Sequence, residues 1–189
     1  LRFLTSHPRD LSLEVFALMA EDPRLCSHIH LPVQSGNDRV LAAMNRGYTR
    51  ARFLALLEEA RGRVGDLAVT SDIIVGFPGE SPREFEDTLD LVRRARFDSA
   101  FTFMYSPREG TAAASLSDDI PAAEKKRRLH VLNEAVKEER GRILRSQLGA
   151  TAEILLDGAV EKAETRWLKG RTPQFRNVLV RDSSLSIGD

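Results

Sequence analysis

Short apolar runs alternate with amphipathic stretches along the first two thirds of the chain. The apolar runs predict four β-strands, over 1–5, 28–33, 67–75 and 98–105. The third run is almost continuously apolar after Asp72, which is typical of a parallel strand covered on both faces. In the fourth run, Phe101 and Phe103 alternate with other residues, so they share one face, and we expect both in the core.

The stretches between these runs carry apolar residues at helical spacing. They predict helices over 11–21, 39–44 and 49–64, and a further helix from Ser81 onward. Ser81 is a favourable N-cap, and Pro82 suits the first turn of the helix that follows. Strand–helix units repeated in this order build a parallel sheet or barrel. Four units are too few to close an eight-stranded barrel, so the predicted fold class is α/β, with part of a (β/α) barrel.

The character of the sequence changes after Gly149. Residues 121–148 predict one long helix, which carries eight basic and four acidic side chains and a net charge of +4. Beyond it, the apolar segments 152–156 and 177–180 predict a small all-β module. The chain is therefore expected to divide into residues 1–148 and residues 149–189. Because only two or three strands fit in the second part, we expect an incomplete β-barrel there and a chain cut at both ends.

Composition removes several classes of protein. The 189 residues contain one cysteine, which excludes an internal disulfide and a complete cysteine-ligated zinc site or iron–sulfur cluster. The 28 basic and 28 acidic side chains and the 42% hydrophobic content are those of an ordinary globular protein. No apolar run approaches the roughly 18 residues of a membrane span, and no signal peptide opens the chain, so a cytoplasmic location without a membrane is expected.

Polar segments rich in glycine and proline follow the predicted strands, at 6–8, 34–36, 76–80 and 105–108. Ligands bind at the carboxyl ends of parallel strands, so these segments predict a ligand-binding rim. Simpler interpretations stay open: His7 as a turn residue, Gly76 and Gly79 as turn glycines, and Glu80 as a residue favoured by the helix dipole. The basic side chains of the long helix are typical of a solvated face. No motif in the sequence fixes a reaction.

Five sequence strings, taken in order, identify a protein family more specifically than their single residues do. They are TSHP at 5–8, HLPVQSGNDRVL at 30–41, MNRGYT at 44–49, SDIIVGFPGE at 71–80 and YSPREGT at 105–111. This series resembles the radical SAM methylthiotransferase family along essentially the whole chain. The string at 44–49, together with GRT at 170–172, is most similar to the branch that modifies tRNA. The branches acting on threonylcarbamoyladenosine or on a ribosomal-protein aspartate are alternatives, as is a non-catalytic RNA-binding module.

The resemblance implies an enzyme that adds a methylthio group to N6-isopentenyladenosine beside the anticodon. It implies S-adenosyl-L-methionine (SAM) and two 4Fe–4S clusters as cofactors, and the tRNA anticodon stem-loop and an electron donor as partners. In the family the cluster cysteines precede the segment matched here, and a TRAM β-barrel ends the protein. We therefore assign no catalytic or metal-binding residue to this stretch and expect it to be inactive alone. Glu109 and Ala112 stand where family members often have proline, which weakens the choice of branch.

Residues at the matched positions are expected to line two surfaces. The resemblance implies that the loop at 34–35 holds the ribose and methionine part of SAM, and that the ends of the third and fourth predicted strands contact adenine. The expected SAM-binding residues are Gln34, Ser35, Ile74, Val75, Gly76, Tyr105 and Ser106. Substrate is expected at Thr5 and His7 on the rim, and RNA phosphates at Lys169, Arg171 and Arg176 in the β module.

Overall fold

The structure is a computed structural model that describes residues 1–3, 7–162, 165–181 and 184–188. The helices are α1 (Glu14–Glu21), α2 (Asp38–Ala43), α3 (Arg50–Arg63), α4 (Pro82–Ala95) and α5 (Ala122–Ser146), with a 3-10 turn at Ala112–Ser115. The strands are β1 (His28–His30), β2 (Ala68–Val75), β3 (Ser99–Met104), β4 (Leu155–Lys162), β5 (Thr165–Arg171) and β6 (Asn177–Val180). None of the described helices has the length and apolar character needed to cross a membrane.

A parallel sheet in the order β1-β2-β3 forms the centre of the first part of the chain, up to the end of α5, which we call the larger part. Alternate residues of β2 are buried on the face that the helices cover, among them Ile73 and Val75. Full burial of one such side chain stabilises the fold by roughly 1.5–3 kcal/mol relative to leaving it exposed. The largest fully buried side chains are those of Phe16, Phe53, Phe85, Phe97, Leu31, Leu41, Leu57, Ile73, Leu91 and Leu132.

Side-chain caps start three of the helices. Asn37 caps α2, Thr49 caps α3 and Ser81 caps α4, each by accepting a backbone N–H of the first turn. At α4 the side chain of Glu84 returns a bond to the backbone of Ser81, which completes a capping box. The predicted starts of α3 and α4 are therefore confirmed to within a residue.

The amino-terminal strands differ from the prediction. Residues 1–3 are not in a strand, although the Leu1 carbonyl accepts the N–H of Cys26 at 2.8 Å, and the rest of the predicted segment lies outside the described residues. Strand β1 ends at His30 instead of residue 33, because Pro32 has no N–H for a ladder and Gln34 adopts a φ of 69°. A single parallel bridge from Gln34 to Ile73 continues the alignment.

Phe101 and Phe103 are not core residues in this chain. Their exposed fractions are 64% and 50%, because both lie on the face of β3 that points away from the helices. The parallel register places them beside Asp72 and Ile74 of β2. We call this side, which the described residues leave largely uncovered, the open face.

Strands β4, β5 and β6 form a second, antiparallel sheet with β5 in the middle. A bulge interrupts the pairing between Leu156 and Gly158. Leu156 and Leu168 are the buried apolar side chains of this sheet. Within the described part of the chain the three strands form an open sheet, and the predicted boundary near residue 149 falls between α5 and β4.

Candidate functional site

Backbone hydrogen bonds bring three predicted rim segments side by side. The Gln34 N–H donates to the Asp72 carbonyl at 2.8 Å, and the Gln34 carbonyl accepts the Ile74 N–H at 2.9 Å. On the other side of β2, the Tyr105 N–H donates to the Val75 carbonyl at 2.8 Å. The segments that follow β1, β2 and β3 therefore meet at the carboxyl edge of the parallel sheet, and we call this edge the rim.

The 34–36 loop is held against α4. A Cβ on Gly36 would lie 2.4 Å from the Cα of Thr88, so only glycine allows this approach. The Gly36 N–H donates to the Thr88 hydroxyl at 3.0 Å. Ser35 is fully buried and its Oγ accepts the Asn37 N–H at 3.3 Å, so its side chain supports the loop from inside. Gln34 is half-buried.

The 76–80 turn follows β2 and has two glycines with a φ of 72°. The Gly76 N–H donates to Oε2 of Glu80 at 2.7 Å, and the Gly79 N–H donates to Oδ1 of Asp119 at 2.8 Å. A Cβ on Gly76 would lie 2.5 Å from Cγ of Lys125. Both the backbone conformation and the close approach of α5 therefore require glycine at position 76.

Tyr105 closes the other side of the rim. Its hydroxyl donates to the Ala113 carbonyl at 2.8 Å, and its ring meets the Phe77 ring edge-on, with 5.1 Å between the centroids. The Lys125 ammonium lies 5.3 Å from the centroid of the Tyr105 ring and pairs with Asp118 at 2.5 Å. The Tyr105 ring is thus fixed at its hydroxyl and on its sides, whereas the neighbouring Ser106 is exposed.

His7 lies close to the extension of β1. Its ring is 5.6 Å from that of Tyr48, whose hydroxyl donates to the Val33 carbonyl at 2.9 Å. Burial, and then the charge of Arg46, lower the pKa of His7 from 6.5, which favours the neutral ring at neutral pH. The structure therefore places His7 next to the Gln34 end of the rim. Thr5 lies outside the described residues.

The three basic residues expected to contact RNA do not share one surface. Lys169 and Arg171 are alternate residues of β5, so they lie on the same face of the antiparallel sheet, and Arg171 pairs with Asp157 at 3.3 Å. Arg176 instead pairs with Asp98 at 2.9 Å and with Asp66 at 2.7 Å, and only 11% of its side chain is exposed. Two carboxylates of the larger part already hold its guanidinium, so the structure does not support Arg176 as a phosphate ligand.

Comparison with known proteins shows what this chain is similar to. Residues 1–92 match the Radical SAM superfamily. The chain is 47% identical over 187 residues to the tRNA-2-methylthio-N6-dimethylallyladenosine synthase of Carboxydothermus hydrogenoformans, which covers 99% of this chain and 42% of that protein. Nearly the whole chain is therefore similar to radical SAM methylthiotransferases. The protein of the same name from Caldicellulosiruptor saccharolyticus is 46% identical over 183 residues, covering 97% of this chain and 38% of that protein.

The chain spans about two fifths of the length of the curated relatives that it matches. Among solved structures, it is similar to coproporphyrinogen III oxidase (HemN) from Escherichia coli, described as a radical SAM enzyme, with a TM-score of 0.53 and 23% sequence identity. That match covers 75% of this chain and 31% of the other. The likeness confirms the predicted α/β fold class.

The match of residues 1–92 to the Radical SAM superfamily implies SAM and iron–sulfur chemistry. At the rim, half-buried Ile74 and Tyr105 lie beside a glycine turn and offer apolar surface of the kind that an adenosyl group needs. A cluster does not fit the residues described here: Cys26 is the single cysteine of the sequence. Among the described residues, no three His, Cys, Asp or Glu side chains come together as a metal site.

Sequence reasoning missed two buried charges on α5. Lys125 and Arg128, which the basic composition of α5 assigned to a solvated face, are both buried and face the rim. The available signal was their spacing, because they fall on the same helix face as the buried Leu132 and Val136.

Proposed function

We propose that this chain supplies part of the SAM pocket and part of the RNA-binding surface of a tRNA methylthiotransferase. The substrate would be N6-isopentenyladenosine next to the anticodon. The observation that carries the proposal is the rim, where the three segments matched by the family strings lie side by side. The name shared by relatives 46–47% identical over nearly the whole chain supports the choice of the tRNA branch.

The rim residues divide by exposure. Ile74, Tyr105 and the half-buried Gln34 would contact the adenosyl ligand with their side chains, and Ser106 is exposed and free to do so. Ser35, Val75 and Gly76 are buried, so they would act through the backbone and through the shape of the loops. When bound to a reduced cluster, SAM supplies a carbon radical, and the rim residues would hold its adenosyl part and exclude water.

The remaining assignments follow from the same proposal. His7 and Thr5 would face the substrate, and Lys169 and Arg171 would contact RNA phosphates through the β module, which we assign to the start of a TRAM barrel after residue 148. The two 4Fe–4S clusters would be held by other parts of the full-length protein. An electron donor would reduce them, and the enzyme would work in the cytoplasm on the tRNA anticodon stem-loop.

The test is a deletion of the full-length gene in the organism that carries it, followed by mass spectrometry of tRNA nucleosides. We expect loss of 2-methylthio-N6-isopentenyladenosine, accumulation of N6-isopentenyladenosine, and restoration of the methylthio product by the wild-type gene. Unchanged tRNA together with loss of methylthiolation on a ribosomal-protein aspartate would move the assignment to that branch. A change confined to threonylcarbamoyladenosine would favour the other tRNA branch.

A further inference from the structure

A buried ion pair connects the 76–80 turn to α5. Nη1 of Arg128 donates to Oε2 of Glu80 and to the Glu80 carbonyl, both at 2.8 Å. The same Oε2 accepts the Gly76 N–H at 2.7 Å. A continuous line of hydrogen bonds therefore runs from α5, through the Glu80 carboxylate, to the backbone of Gly76.

Both charged groups are almost fully removed from solvent. The exposed fraction is 4% for the Arg128 side chain and 0% for that of Glu80. Burial raises the pKa of Glu80, while the Gly76 N–H and the Arg128 charge oppose that rise. Because a charge buried without its partner is costly, loss of Arg128 would leave Glu80 either protonated or displaced from the turn.

Two neighbours of Arg128 on α5 support its contact with the turn. Oε1 of Glu124, one turn earlier, accepts a hydrogen bond from Nε of Arg128 at 2.8 Å. The Lys125 stem fills the space beside the Cα of Gly76, where a side chain would otherwise lie. The helix therefore holds the turn at its first residue, through Lys125, and at its last residue, through Arg128.

We propose that Arg128 is a positioning residue for the adenosyl ligand of this site. This inference rests on the proposed function, because it assumes that the Gly76 backbone lies against SAM. Arg128 holds the Glu80 carboxyl group in place, Glu80 accepts the Gly76 N–H, and this bond maintains the left-handed backbone at the end of β2. Arg128 itself does not contact the ligand, so its loss should weaken SAM binding through the shape of the turn.

The test uses the full-length protein with reconstituted clusters, kept anaerobic, and measures SAM binding by equilibrium dialysis. Arg128→Met is expected to raise the Kd for SAM about tenfold or more, as loss of a hydrogen bond to a charged group does. The KM for SAM should rise with it, while the affinity for tRNA should stay unchanged. Arg127→Met is the matched control, because Arg127 pairs with the same Glu124 but is exposed and makes no described contact with Glu80.

A double variant covers the case in which Arg128→Met does not fold. Glu80→Gln combined with Arg128→Met removes both buried charges, which is far less costly than removing one. We expect this protein to fold and to keep a raised Kd for SAM. Wild-type SAM affinity in either folded variant, or an equal loss in Arg127→Met, would overturn the positioning role alone. Failure of the wild-type protein to bind SAM would overturn the proposed function itself.

Discussion

His28 lies near the amino end of the open face, in a row of polar side chains. Its Nε2 is 3.1 Å from Oγ1 of Thr70, which is in turn 2.9 Å from Nδ1 of His30. Nε2 of His30 lies 3.3 Å from Asp72. Nδ1 of His28 is buried and has no hydrogen-bond partner among the described atoms. Burial, followed by the charges of Arg2 and His30, lowers the pKa of His28 to about 4.

This row predicts a pH-dependent stability. The folded chain keeps His28 neutral, whereas the unfolded chain, with a pKa of 6.5, takes up a proton below that value. The free energy of unfolding should therefore fall as the pH falls from 6.5 towards 4, by at most ~1.4 kcal/mol per pH unit from this residue. Urea unfolding of the wild-type chain and of His28→Gln across this range measures the effect. If the difference in free energy of unfolding between the two proteins does not change with pH, the predicted role of His28 is wrong.

At the scale of elements, the Glu84 carboxylate of α4 makes hydrogen bonds both to a neighbour in the chain and to a residue of another helix. Its capping box is local and readable from the sequence, since Ser81 and Glu84 are three residues apart. The same Glu84 also accepts Nε of Arg39 at 2.5 Å, which ties α2 to α4. The bond from Arg39 is the largest cause that lowers the pKa of Glu84 to about 2, and the bonds from Ser81 act in the same direction. Glu84 therefore stays ionised throughout the pH range in which His28 titrates.

Removal of the cap should weaken this helix measurably. Ser81→Ala takes away the oxygen that accepts the Glu84 N–H, and we expect a loss of ~1 kcal/mol in the free energy of unfolding. Ser117→Ala is a suitable control, because Ser117 is an exposed residue outside helices and strands. Both values come from urea unfolding at pH 7. Equal stabilities for the two variants would show that the cap does not contribute.

The sequence predicted those features that depend on neighbours in the chain. The helix predicted over 49–64 is found at Arg50–Arg63, and the strand predicted over 67–75 is found at Ala68–Val75. The ion pair of Arg128 with Glu80 could not be predicted in this way, because the two residues are 48 positions apart. The exposure of Phe101 was also missed, because alternation along a strand gives the shared face but not what covers that face.

At the scale of the whole molecule, a cluster of cationic and aromatic side chains attaches the antiparallel sheet to the larger part. Phe175 lies between two guanidinium groups, that of Arg2 at 4.5 Å and that of Arg171 at 4.8 Å from the ring centroid. Arg2 also donates to the Pro173 carbonyl at 3.1 Å. Together with the ion pairs of Arg176, these contacts set the position of the proposed RNA-binding face relative to the rim.

Arg176 is therefore expected to act in docking the two parts. In Arg176→Met, Asp66 and Asp98 lose their guanidinium partner, and we expect faster amide hydrogen exchange in β5 and β6 with little change in β2. Arg166→Met, at an exposed position near the start of β5, should leave exchange as in the wild type. A phosphate-binding role makes the opposite prediction for the full-length protein: unchanged exchange, weaker tRNA binding, and a salt dependence reduced by about one counterion. Hydrogen exchange and a salt titration of tRNA binding on the same variant thus separate the two roles. If exchange is unchanged while the salt dependence falls, Arg176 is part of the RNA-binding surface, and its ion pairs with Asp66 and Asp98 do not dock the two parts.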